Sequence, residues 1–320
     1  MKRINDVSII IVNYNSGNLI IDCVNSIYEK TKETSFEIII VDNYSKDDSV
    51  RKLNDSLGKK VSIILSNENL GFGKANNLGA KHAKGEYLFL LNPDTVLIND
   101  AISILVKYLK QHNDTGIAGG NLFTLDKKPT PSFCIQFDDL MLEKERAKWS
   151  YLISSKISQK RNSNKNNKID EFNYTNSPQK VAYIFGADIM IKKSLFDEIG
   201  GFDPDFFMYA EEEEMSWRIT QKGYSIYSVP QAEIIHLEGA TTSVDNSFSE
   251  RQFRMRMNGT MMYYLKRYGI DGVKMFYKYR IRRYSRLVNI AKIQGKLTSN
   301  FGPLLQKKLL NEEYSNFIKE

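Results

Sequence analysis

Residues 7–17 of the chain read VSIIIVNYNSG. The run Val7–Val12 is almost wholly valine and isoleucine, which is typical of a strand that is buried on both faces. The polar segment Asn13–Gly17 ends this run, and a stretch with helical spacing follows, whose apolar face holds Leu19, Ile20, Val24 and Ile27. A buried strand, a short loop and an amphipathic helix are the first half of a unit in which parallel strands alternate with helices.

The same alternation recurs along the first half of the chain. Further short apolar runs lie at Phe36–Val41, Val61–Leu65 and Tyr87–Leu91, and between or after them come the charged stretch Lys46–Leu57 and helical patterns over Leu78–Lys84 and Ala101–Gln111. Short runs that are apolar on both faces and alternate with helices indicate a parallel sheet with helices on both sides. The sequence therefore predicts an α/β fold.

Composition excludes several classes of protein. The 320 residues are 42% hydrophobic and 26% charged, which is typical of a globular chain with one large or two modest domains. The two cysteines, Cys23 and Cys134, are too few for a disulfide scaffold or a four-cysteine zinc site. No run approaches about 18 uncharged apolar residues, and the N-terminus lacks the apolar core of a signal peptide. We therefore expect neither secretion nor an integral membrane span.

The positive charge is concentrated at one end of the chain. Residues 251–320 hold 16 Lys and Arg against 4 Asp and Glu, whereas residues 1–250 hold 29 against 34. The net charge of +7 therefore combines a mildly acidic body with a strongly basic C-terminal region. Such a region suits a membrane surface, a nucleic acid or a phosphorylated substrate, and a solvated helix face rich in Lys and Arg is the ordinary alternative.

The second half departs from the alternating pattern. Residues 138–180 interrupt it, and Lys156–Gln179 is rich in Lys, Asn, Ser and Gln, which predicts a mobile surface loop. Strand patterns return at Val181–Phe185, Ser225–Val229 and Glu233–His236, and a helix is entered within Phe206–Gln221. From Glu250 the pattern is helical, and its apolar face holds Phe253, Met257, Met261, Tyr264, Leu265 and Tyr268.

Four polar clusters directly follow predicted strands. They are Asn13-Tyr14-Asn15, Asp42-Asn43, Asn67–Asn77 and Asn92-Pro93-Asp94. In an open sheet of parallel strands, ligands bind at the carboxyl ends of the strands. The third cluster reads NENLGFGKANN, whose glycines allow close backbone approach and whose lysine and asparagines suit a phosphate or ribose at a helix start. It lacks the third glycine of the dinucleotide fingerprint and the Lys-Ser/Thr of a P-loop.

Asp94 and His236 are candidate metal ligands. Asp94 follows a strand and a proline turn, and His236 ends the strand pattern Glu233–Ile235. A carboxylate and an imidazole together would hold Mg²⁺ or Mn²⁺ that shares its remaining ligands with substrate phosphates. Taken singly, a turn or capping aspartate and a structural histidine are the more ordinary interpretations.

Glu211–Glu214 form a second acidic cluster. Four consecutive carboxylates usually mark an exposed helix start, but the preceding Phe206-Phe207-Met208-Tyr209 is apolar and favours a partly buried site. Only one or two of the four can point inward, because consecutive helical residues do not share a face. Burial raises the pKa of a carboxyl group, as a general base working near neutral pH requires.

Taken in order, the motifs resemble those of family 2 glycosyltransferases. They are VSIIIVNYNSG at 7–17, EIIIVDNYSKD at 37–47, NENLGFGKANNLGAKHAKGEYLFLLNPDT at 67–95 and GGFDPDFFMYAEEEEMSWRITQKGYSIYSVPQAEIIHLEGATTS at 200–243. The resemblance covers roughly residues 5–270 and is closest to the rhamnosyltransferase-like branch of bacterial polysaccharide synthesis. It implies a GT-A fold, with a mixed sheet flanked by helices in residues 1–245 and a basic helical extension in 246–320. Within the first domain it implies a donor-binding half (1–125), an insertion (138–180) and an acceptor half (181–245).

The resemblance also implies a donor site with a divalent metal. Asp42 resembles the carboxylate that reads the imide of uracil or thymine, and Asp94, in the place of the family's DXD motif, would bind Mg²⁺ or Mn²⁺ together with His236. The implied donor-binding residues are Val12, Asn13, Tyr14, Asn15, Asp42, Asn43, Asn69, Gly71, Gly73, Lys74, Asn76, Asn92 and Asp94. Asn92 replaces the first aspartate of DXD, so that ligand is neutral.

Glu212 lies where the family has its catalytic carboxylate. Glu211, Glu214 and Arg218 are candidate supporting residues, and Glu at both 212 and 214 leaves open which of the two is the base. A single base opposite the leaving diphosphate would take the proton of the acceptor hydroxyl and give transfer with inversion. The expected donor is dTDP-rhamnose, with a UDP-hexose as the alternative.

Two other classes of function compete with the transferase. A Rossmann-type oxidoreductase would use the glycine loop and Asp94, but it leaves Glu211–Glu214 and His236 unexplained. A sugar- or membrane-binding module with a degenerate site is the non-enzymatic alternative. The resemblance implies a glycan or a lipid-linked glycan as the acceptor, at the cytoplasmic face of a membrane, with the basic region 246–320 against anionic lipid. We expect no nucleic-acid partner, and the oligomeric state stays open.

Overall fold

The computed structural model describes residues 6–151, 169–237, 249–295, 297–298 and 302–318. The chain divides into two compact units. The sheet unit comprises Met1–Phe137 and Ile169–Asp245, and the helical unit comprises Asp138–Lys168 and Asn246–Glu320. The division into donor and acceptor halves stays a prediction, and most of the predicted loop, 156–168, lies outside the described residues.

The strands of the sheet unit are mostly short. They are β1 (Val7–Asn13), β2 (Phe36–Asp42), β3 (Ser62–Leu65), β4 (Tyr87–Leu91), β5 (Thr95–Leu97), β6 (Thr115–Phe123), β7 (Phe133–Cys134), β8 (Gln179–Val181), β9 (Tyr183–Ile184), β10 (Asp188–Lys192) and β11 (Ser225–His236). Within the described residues, nine of them form one sheet with the order β3-β2-β1-β4-β10-β6-β11-β5, and β8 pairs with β11. β7 and β9 form a separate pair.

The first four strands in this order run parallel, as the sequence predicts. Asn13 lies opposite Asp42, and Ile11 opposite Leu91, so β1, β2 and β4 end at the same edge. The polar residues that follow these strands are therefore neighbours at one edge of the sheet.

The sheet is mixed, as the family resemblance implies, because β10 enters antiparallel to β4 and β6. β11 runs parallel to β6 with an irregular segment: Ser228 pairs with Gly119, but Glu233 pairs with Asn121. Pro230 lies in this irregular segment. Proline has no backbone N–H to donate to a neighbouring strand, so it is tolerated where the regular pairing is interrupted. Beyond the irregularity β11 pairs antiparallel with β5, which brings His236 opposite Thr95.

Two apolar cores cover the two faces of the sheet. Ile9 and Ile11 point into one core with helix residues such as Leu105, whereas Ile10 points into the other with Phe202. Successive residues of a strand face opposite sides, so a run of isoleucines serves both cores at once. The covering helices are α1 (Gly17–Lys30), α2 (Ser49–Leu57), α3 (Phe72–His82), α4 (Ala101–Gln111), α6 (Lys193–Glu198) and α7 (Glu211–Gln221).

The helical unit contains α5 (Leu140–Arg146), α8 (Glu250–Ile293) and α9 (Gly302–Phe317). Gly269 breaks α8 with a φ of 67° and a ψ of −168°, a conformation that favours glycine. In the described part of the chain, no helix has the length and apolar character needed to cross a membrane.

Several basic and aromatic side chains of the helical unit are buried in its interior and do not face solvent. Arg280 donates to both carboxylate oxygens of the fully buried Glu143, at 2.8 and 2.7 Å. Phe253, Met257 and Tyr264, from the predicted amphipathic face, are buried. Their burial limits the expectation that the region 246–320 lies against anionic lipid, because these side chains and Arg280 pack inside the helical unit.

Candidate active site

Asn13 and Asp42 form a buried pair at the ends of β1 and β2. The Asn13 amide donates to Asp42 Oδ1 at 2.7 Å and lies 3.1 Å from the Ser45 hydroxyl oxygen, and the Ser45 backbone N–H donates to Asp42 Oδ2 at 3.2 Å. These contacts orient the Asp42 carboxylate while leaving lone pairs on both of its oxygens. Parallel pairing of β1 with β2 creates this geometry, because it puts residues 13 and 42 opposite each other.

The other residues of the first cluster surround this pair. Tyr14 is exposed, whereas Val12 packs partly against a sheet core. Asn15 adopts a left-handed φ of 55°, and its side-chain oxygen accepts the Lys46 backbone N–H at 2.8 Å. Tyr44, also exposed, carries the Lys46 ammonium over its ring at 3.1 Å from the ring centre. Tyr14 therefore presents an exposed ring beside the Asn13–Asp42 pair, whereas one face of the Tyr44 ring is covered by Lys46.

Asn43 organises the glycine loop. Its amide nitrogen donates to Asn69 Oδ1 at 3.0 Å and to the Gly71 carbonyl at 3.1 Å, and its side-chain oxygen accepts the Leu70 N–H at 2.8 Å. The Gly71 N–H in turn donates to Asn69 Oδ1 at 3.0 Å. The strand end of β2 thereby holds the loop that leads into α3.

Glycines 71 and 73 are required by close approach. Gly71 has a φ of 78°, and a Cβ there would lie 1.9 Å from the Phe207 carbonyl oxygen. A Cβ on Gly73 would lie 2.9 Å from Cβ of Phe202. Lys74 is half-buried, while the Asn76 amide is buried and donates to the Phe72 carbonyl at 3.1 Å. The side-chain nitrogen of Asn76 therefore forms a hydrogen bond within α3.

Asp94, Asn92 and His236 form a second polar group beyond β4 and β11. His236 Nε2 lies 3.4 Å from Asp94 Oδ1 and 3.4 Å from the Asn92 amide nitrogen. The Asp94 carbonyl accepts the Leu237 N–H at 2.9 Å, so the ends of these two segments are joined by the backbone as well. The structure therefore brings together the two ligands proposed from residues 142 positions apart in the sequence.

The chemistry of this group fits a divalent cation that is shared with a substrate. Asp94 is buried, and His236 Nδ1 is a buried atom without a hydrogen-bond partner. Among the described residues, no cluster of three or more His, Cys, Asp or Glu forms a complete cage. One carboxylate and one imidazole suit an ion that takes its other oxygen ligands from phosphates and water.

The acidic cluster occupies the first turn of α7. Tyr209 and Ala210, with φ values of 73° and 67°, both adopt the left-handed conformation immediately before it. Such backbone is strained for non-glycine residues and is common at functional sites. Glu211, Glu213 and Glu214 are buried, whereas Glu212 is half-buried.

The partners of Glu212 and Glu214 differ. Both oxygens of Glu214 accept from Arg218, at 2.6 and 2.7 Å, and the same guanidinium donates to the carbonyls of Ile199 and Gly201. Burial raises the pKa of Glu212. Burial, together with the charge of Glu212, raises the pKa of Glu211 well above its usual value, and Glu211 Oε2 has no hydrogen-bond partner. Glu214 therefore holds Arg218, which in turn binds the backbone at residues 199 and 201. Glu212 is a carboxyl group with a raised pKa.

Sequence reasoning missed the connection between the glycine loop and α7. The Asn77 side chain donates to the Phe202 carbonyl at 2.7 Å and accepts the Phe202 N–H at 2.9 Å. The Phe72 N–H donates to the Phe207 carbonyl at 3.0 Å. The start of α3 is therefore hydrogen-bonded to the segment that leads into the acidic cluster. The adjacent Asn76 and Asn77 indicate that an amide side chain is used at the start of α3. The sequence alone does not show which of the two contacts the segment before α7.

The fold and this edge of polar side chains define a class of protein. The structure is similar to GalNAc-T7 solved with UDP, GalNAc and Mn²⁺, with a TM-score of 0.60 and 16% identity over 100% of this chain and 57% of that chain. It is also similar to the mannosyltransferase PcManGT from Pyrobaculum calidifontis, solved with GDP-Man and Mn²⁺, with a TM-score of 0.50 and 16% identity over 98% and 70% of the two chains. At this identity the likeness concerns the fold alone, which is the GT-A fold.

The sequence gives the more particular assignment. Residues 8–200 match the profile described as glycosyl transferase family 2. The chain therefore belongs to glycosyl transferase family 2, and the assignment made from the four motifs is confirmed.

Several relatives in this family are glycosyltransferases of bacteria. GlyG of Streptococcus pneumoniae serotype 4 is 28% identical over 38% of this chain and 40% of its own length. The rhamnosyltransferase WbbL of Escherichia coli K12 is 24% identical over 60% of this chain and 69% of its own. An N-acetylglucosaminyl-diphospho-decaprenol L-rhamnosyltransferase of Mycobacterium tuberculosis is 32% identical over 22% of each chain. The alignments with GlyG and the mycobacterial enzyme thus span less than two thirds of those proteins.

Proposed function

We propose that this protein transfers a sugar, with inversion, from a nucleotide-sugar donor to a hydroxyl group of a glycan. One observation carries the proposal: the paired side chains Asn13–Asp42 and Asp94–His236 follow strands of one GT-A sheet in a family 2 chain. The glycine loop held by Asn43 lies beside the first pair and is joined to the segment before Glu212. These are the parts that a donor, its diphosphate and an acceptor hydroxyl require.

In this proposal the nucleoside binds at the first pair. Asp42, oriented by Asn13 and Ser45, accepts a hydrogen bond from the imide N–H of a uracil or thymine base. Tyr14 offers an exposed ring on which the base can stack. The loop at Asn69–Lys74 approaches the ribose and sugar, because its glycines allow backbone contact.

Asp94 and His236 would hold a divalent ion, Mg²⁺ or Mn²⁺, beside the neutral side chain of Asn92, whose amide nitrogen lies 3.4 Å from His236 Nε2. Such an ion stabilises the negative charge that develops on a departing diphosphate. The buried carboxylate of Asp94 is suited to a cation because an unpaired buried charge is costly.

Replacing Asp94 tests this assignment directly. We expect Asp94→Ala to weaken binding of a nucleoside diphosphate about tenfold or more in the presence of Mn²⁺, and to abolish the difference between metal and chelator. Isothermal titration of wild type and variant, each with Mn²⁺ and with chelator, measures both effects. Identical wild-type affinities with and without chelator would exclude a metal in donor binding.

Glu212 is the proposed general base. The acceptor hydroxyl gives its proton to the Glu212 carboxylate as its oxygen bonds to C1 of the sugar, and the bond from C1 to the diphosphate oxygen breaks. The nucleoside diphosphate takes both electrons of that bond. Glu214 is the weaker candidate, since both of its oxygens accept from Arg218.

The proposed sugar is rhamnose from a dTDP donor, since WbbL and the mycobacterial relative are named rhamnosyltransferases. A UDP-hexose is the alternative, because TarS of Staphylococcus aureus, named as a β-N-acetylglucosaminyltransferase, is 29% identical over 110 residues. The proposed acceptor is a cell-surface glycan or its lipid-linked precursor. Peripheral attachment to the cytoplasmic face of an anionic membrane completes the proposal.

Donor profiling is the decisive experiment. Purified full-length protein is incubated with dTDP-rhamnose, UDP-glucose, UDP-GlcNAc and GDP-mannose, and release of nucleoside diphosphate is measured. We expect one donor to be hydrolysed or transferred above background, and thermal stabilisation by that donor but not by NAD. Stabilisation by NAD without turnover of any sugar donor would favour the oxidoreductase, and no response to any nucleotide would favour a binding module.

A further inference from the structure

The helical unit carries a shallow groove of about 760 Å³ that the proposed reaction does not use. Its lining includes the cations Lys274, Lys278 and Arg282 of α8, the apolar or aromatic side chains of Met275, Ile281 and Tyr314, and the acidic Asp271. All of these residues belong to the helical unit. The groove therefore combines three cations with apolar side chains.

Helix geometry explains why the three cations act together. Residues 274, 278 and 282 are four apart, and side chains at this spacing lie above one another on one helix face. All three are exposed, whereas Val273, Phe276 and Tyr277 on the other side of α8 are buried. The centre of the Tyr314 ring lies 5.3 Å from the centre of the Tyr277 ring, and this contact packs α9 against α8 beside the groove.

The charge of this stripe is largely uncompensated. Within the described residues, Lys278 and Arg282 form no ion pair, and Lys274 has only Asp271, at 3.6 Å with a 92% exposed side chain. Exposed pairs of this kind contribute little binding energy. Arg280, by contrast, is neutralised by buried Glu143. Lys274, Lys278 and Arg282 are therefore three largely uncompensated cations on one face of α8 beside the groove.

We propose that this groove is the surface through which the protein binds an anionic phospholipid bilayer. Lys274, Lys278 and Arg282 contact lipid phosphates, while Met275 and the neighbouring Ile270, exposed by 41% and 59%, enter the boundary between headgroups and acyl chains. The apolar side chains in the lining favour a lipid surface over a nucleic acid, whose backbone offers no apolar layer. This assignment rests on the membrane contact proposed above and gives it to cations other than Arg280, which Glu143 neutralises.

Vesicle co-sedimentation of the full-length protein tests the groove. We compare wild type with the triple variant Lys274→Gln, Lys278→Gln, Arg282→Gln on vesicles of equal parts phosphatidylglycerol and phosphatidylcholine. Each basic residue near an anionic surface contributes about a factor of five to partitioning, so we expect the variant to bind about a hundredfold more weakly. Vesicles of phosphatidylcholine alone should retain little of either protein.

A matched variant separates the groove from total charge. Arg251→Gln, Lys292→Gln, Lys308→Gln also removes one Arg and two Lys, all exposed and outside the groove lining. We expect it to bind anionic vesicles within threefold of wild type. Equal losses in the two triple variants, or wild-type binding by the groove variant, would overturn the assignment.

Two further measurements keep the interpretation specific. Met275→Ser should weaken vesicle binding with the cations intact, and inorganic phosphate should displace no more protein than chloride at equal ionic strength. Specific displacement by phosphate would identify a soluble-anion site instead and overturn the bilayer assignment. Vesicle binding needs no donor, so its failure leaves the proposed transfer reaction standing, and donor turnover by the groove variant tests that reaction separately.

Discussion

Glu212 and Glu214 lie two residues apart on α7 and differ in what holds them. We expect Glu212→Gln to lower kcat by about a thousandfold, because the amide cannot accept the acceptor's proton, and to leave donor affinity unchanged. Glu214→Gln instead leaves Arg218 without its carboxylate and should lower the free energy of unfolding by about 2 kcal/mol or more. Single-turnover kinetics, donor titration and thermal denaturation of both variants separate the two roles. A Glu212→Gln protein with wild-type turnover would end its assignment as the base.

The raised pKa of Glu212 predicts the pH dependence of transfer. A base acts only when ionised, and burial moves the pKa of this carboxyl above its ordinary value of 4.5. Activity should therefore fall as the pH decreases through a value above 4.5. The pKa of the neighbouring Glu211 is also raised, by burial and by the charge of Glu212. A profile of kcat against pH measures the pH at which activity is half lost on the acidic side. A value at or below 4.5 would contradict burial as the factor that controls the pKa of Glu212.

At this scale the sequence predicted residue types better than residue partners. Polar side chains at the ends of buried strands could be placed together at one edge of the sheet, because parallel strands end together. The pairing of Glu214 with Arg218 was also accessible, since the two are four apart on a helix. The contact of Ser45 with Asn13 was not, because it joins a loop residue to the end of a strand 32 residues away in the sequence.

Helix α3 and the loop before α7 are coupled through one amide side chain. Asn77 makes two hydrogen bonds to the backbone of Phe202, and Asn77→Ala would remove both. We expect the segment that carries Glu212 to shift, so that kcat falls about tenfold, whereas the KM for the donor changes less than twofold. Asn77→Asp keeps the acceptor oxygen for the Phe202 N–H and should restore part of kcat.

A control with the same side chain is available on α2. The Asn54 amide donates to the Val50 carbonyl on an exposed helix surface, at 3.0 Å. Asn54→Ala should leave both kinetic constants at wild-type values. If Asn77→Ala lowered stability with kcat unchanged, Asn77 would be a structural residue without a positioning role.

Elements could be located from hydrophobic pattern, but their pairing partners could not. The runs at β1, β2 and β4 were recognisable because Val and Ile fill both faces of a buried strand. The antiparallel entry of β10 between β4 and β6 was not, since five residues of strand pattern carry no record of direction. The sequence also separated Ser225–Val229 from Glu233–His236, which the structure joins into one irregular strand.

On the scale of the whole molecule, one buried carboxylate connects distant parts of the chain. Glu143 is fully buried and holds Arg280, 137 residues away. Among the described residues, Glu143→Gln would leave the buried Arg280 guanidinium with only the more distant Asp138 carboxylate, at 3.8 Å, which costs about 3 kcal/mol and lowers Tm by several degrees. Thermal denaturation followed by circular dichroism measures the change.

Glu145 supplies the comparison from the same helix. It pairs with Lys148 at the surface, where both side chains are about half exposed. Glu145→Gln should therefore cost less than about 1 kcal/mol. Equal losses of Tm in the two variants would show that helix α5, and not the buried pair, accounts for the effect.

The basic C-terminal region shows the limit of charge counting. Counting located an excess of Lys and Arg after residue 250, but it could not separate cations that a buried glutamate neutralises from cations that face solvent. That distinction depends on which helix face packs inward, and Glu143 lies too far away in the sequence to indicate it.

The irregular segment of β11 limits which insertions and deletions this chain can tolerate. Between Ser228 and Glu233 the strand advances five residues while β6 advances two, so the segment sets the phase in which β11 resumes its alternation. Side chains on a strand change sides with every residue, so the loss or gain of one residue there would turn His236 away from Asp94 without removing either. Insertions or deletions of two residues in this short stretch should therefore be tolerated better than those of one residue. A substitution at His236 would not reveal this dependence on length.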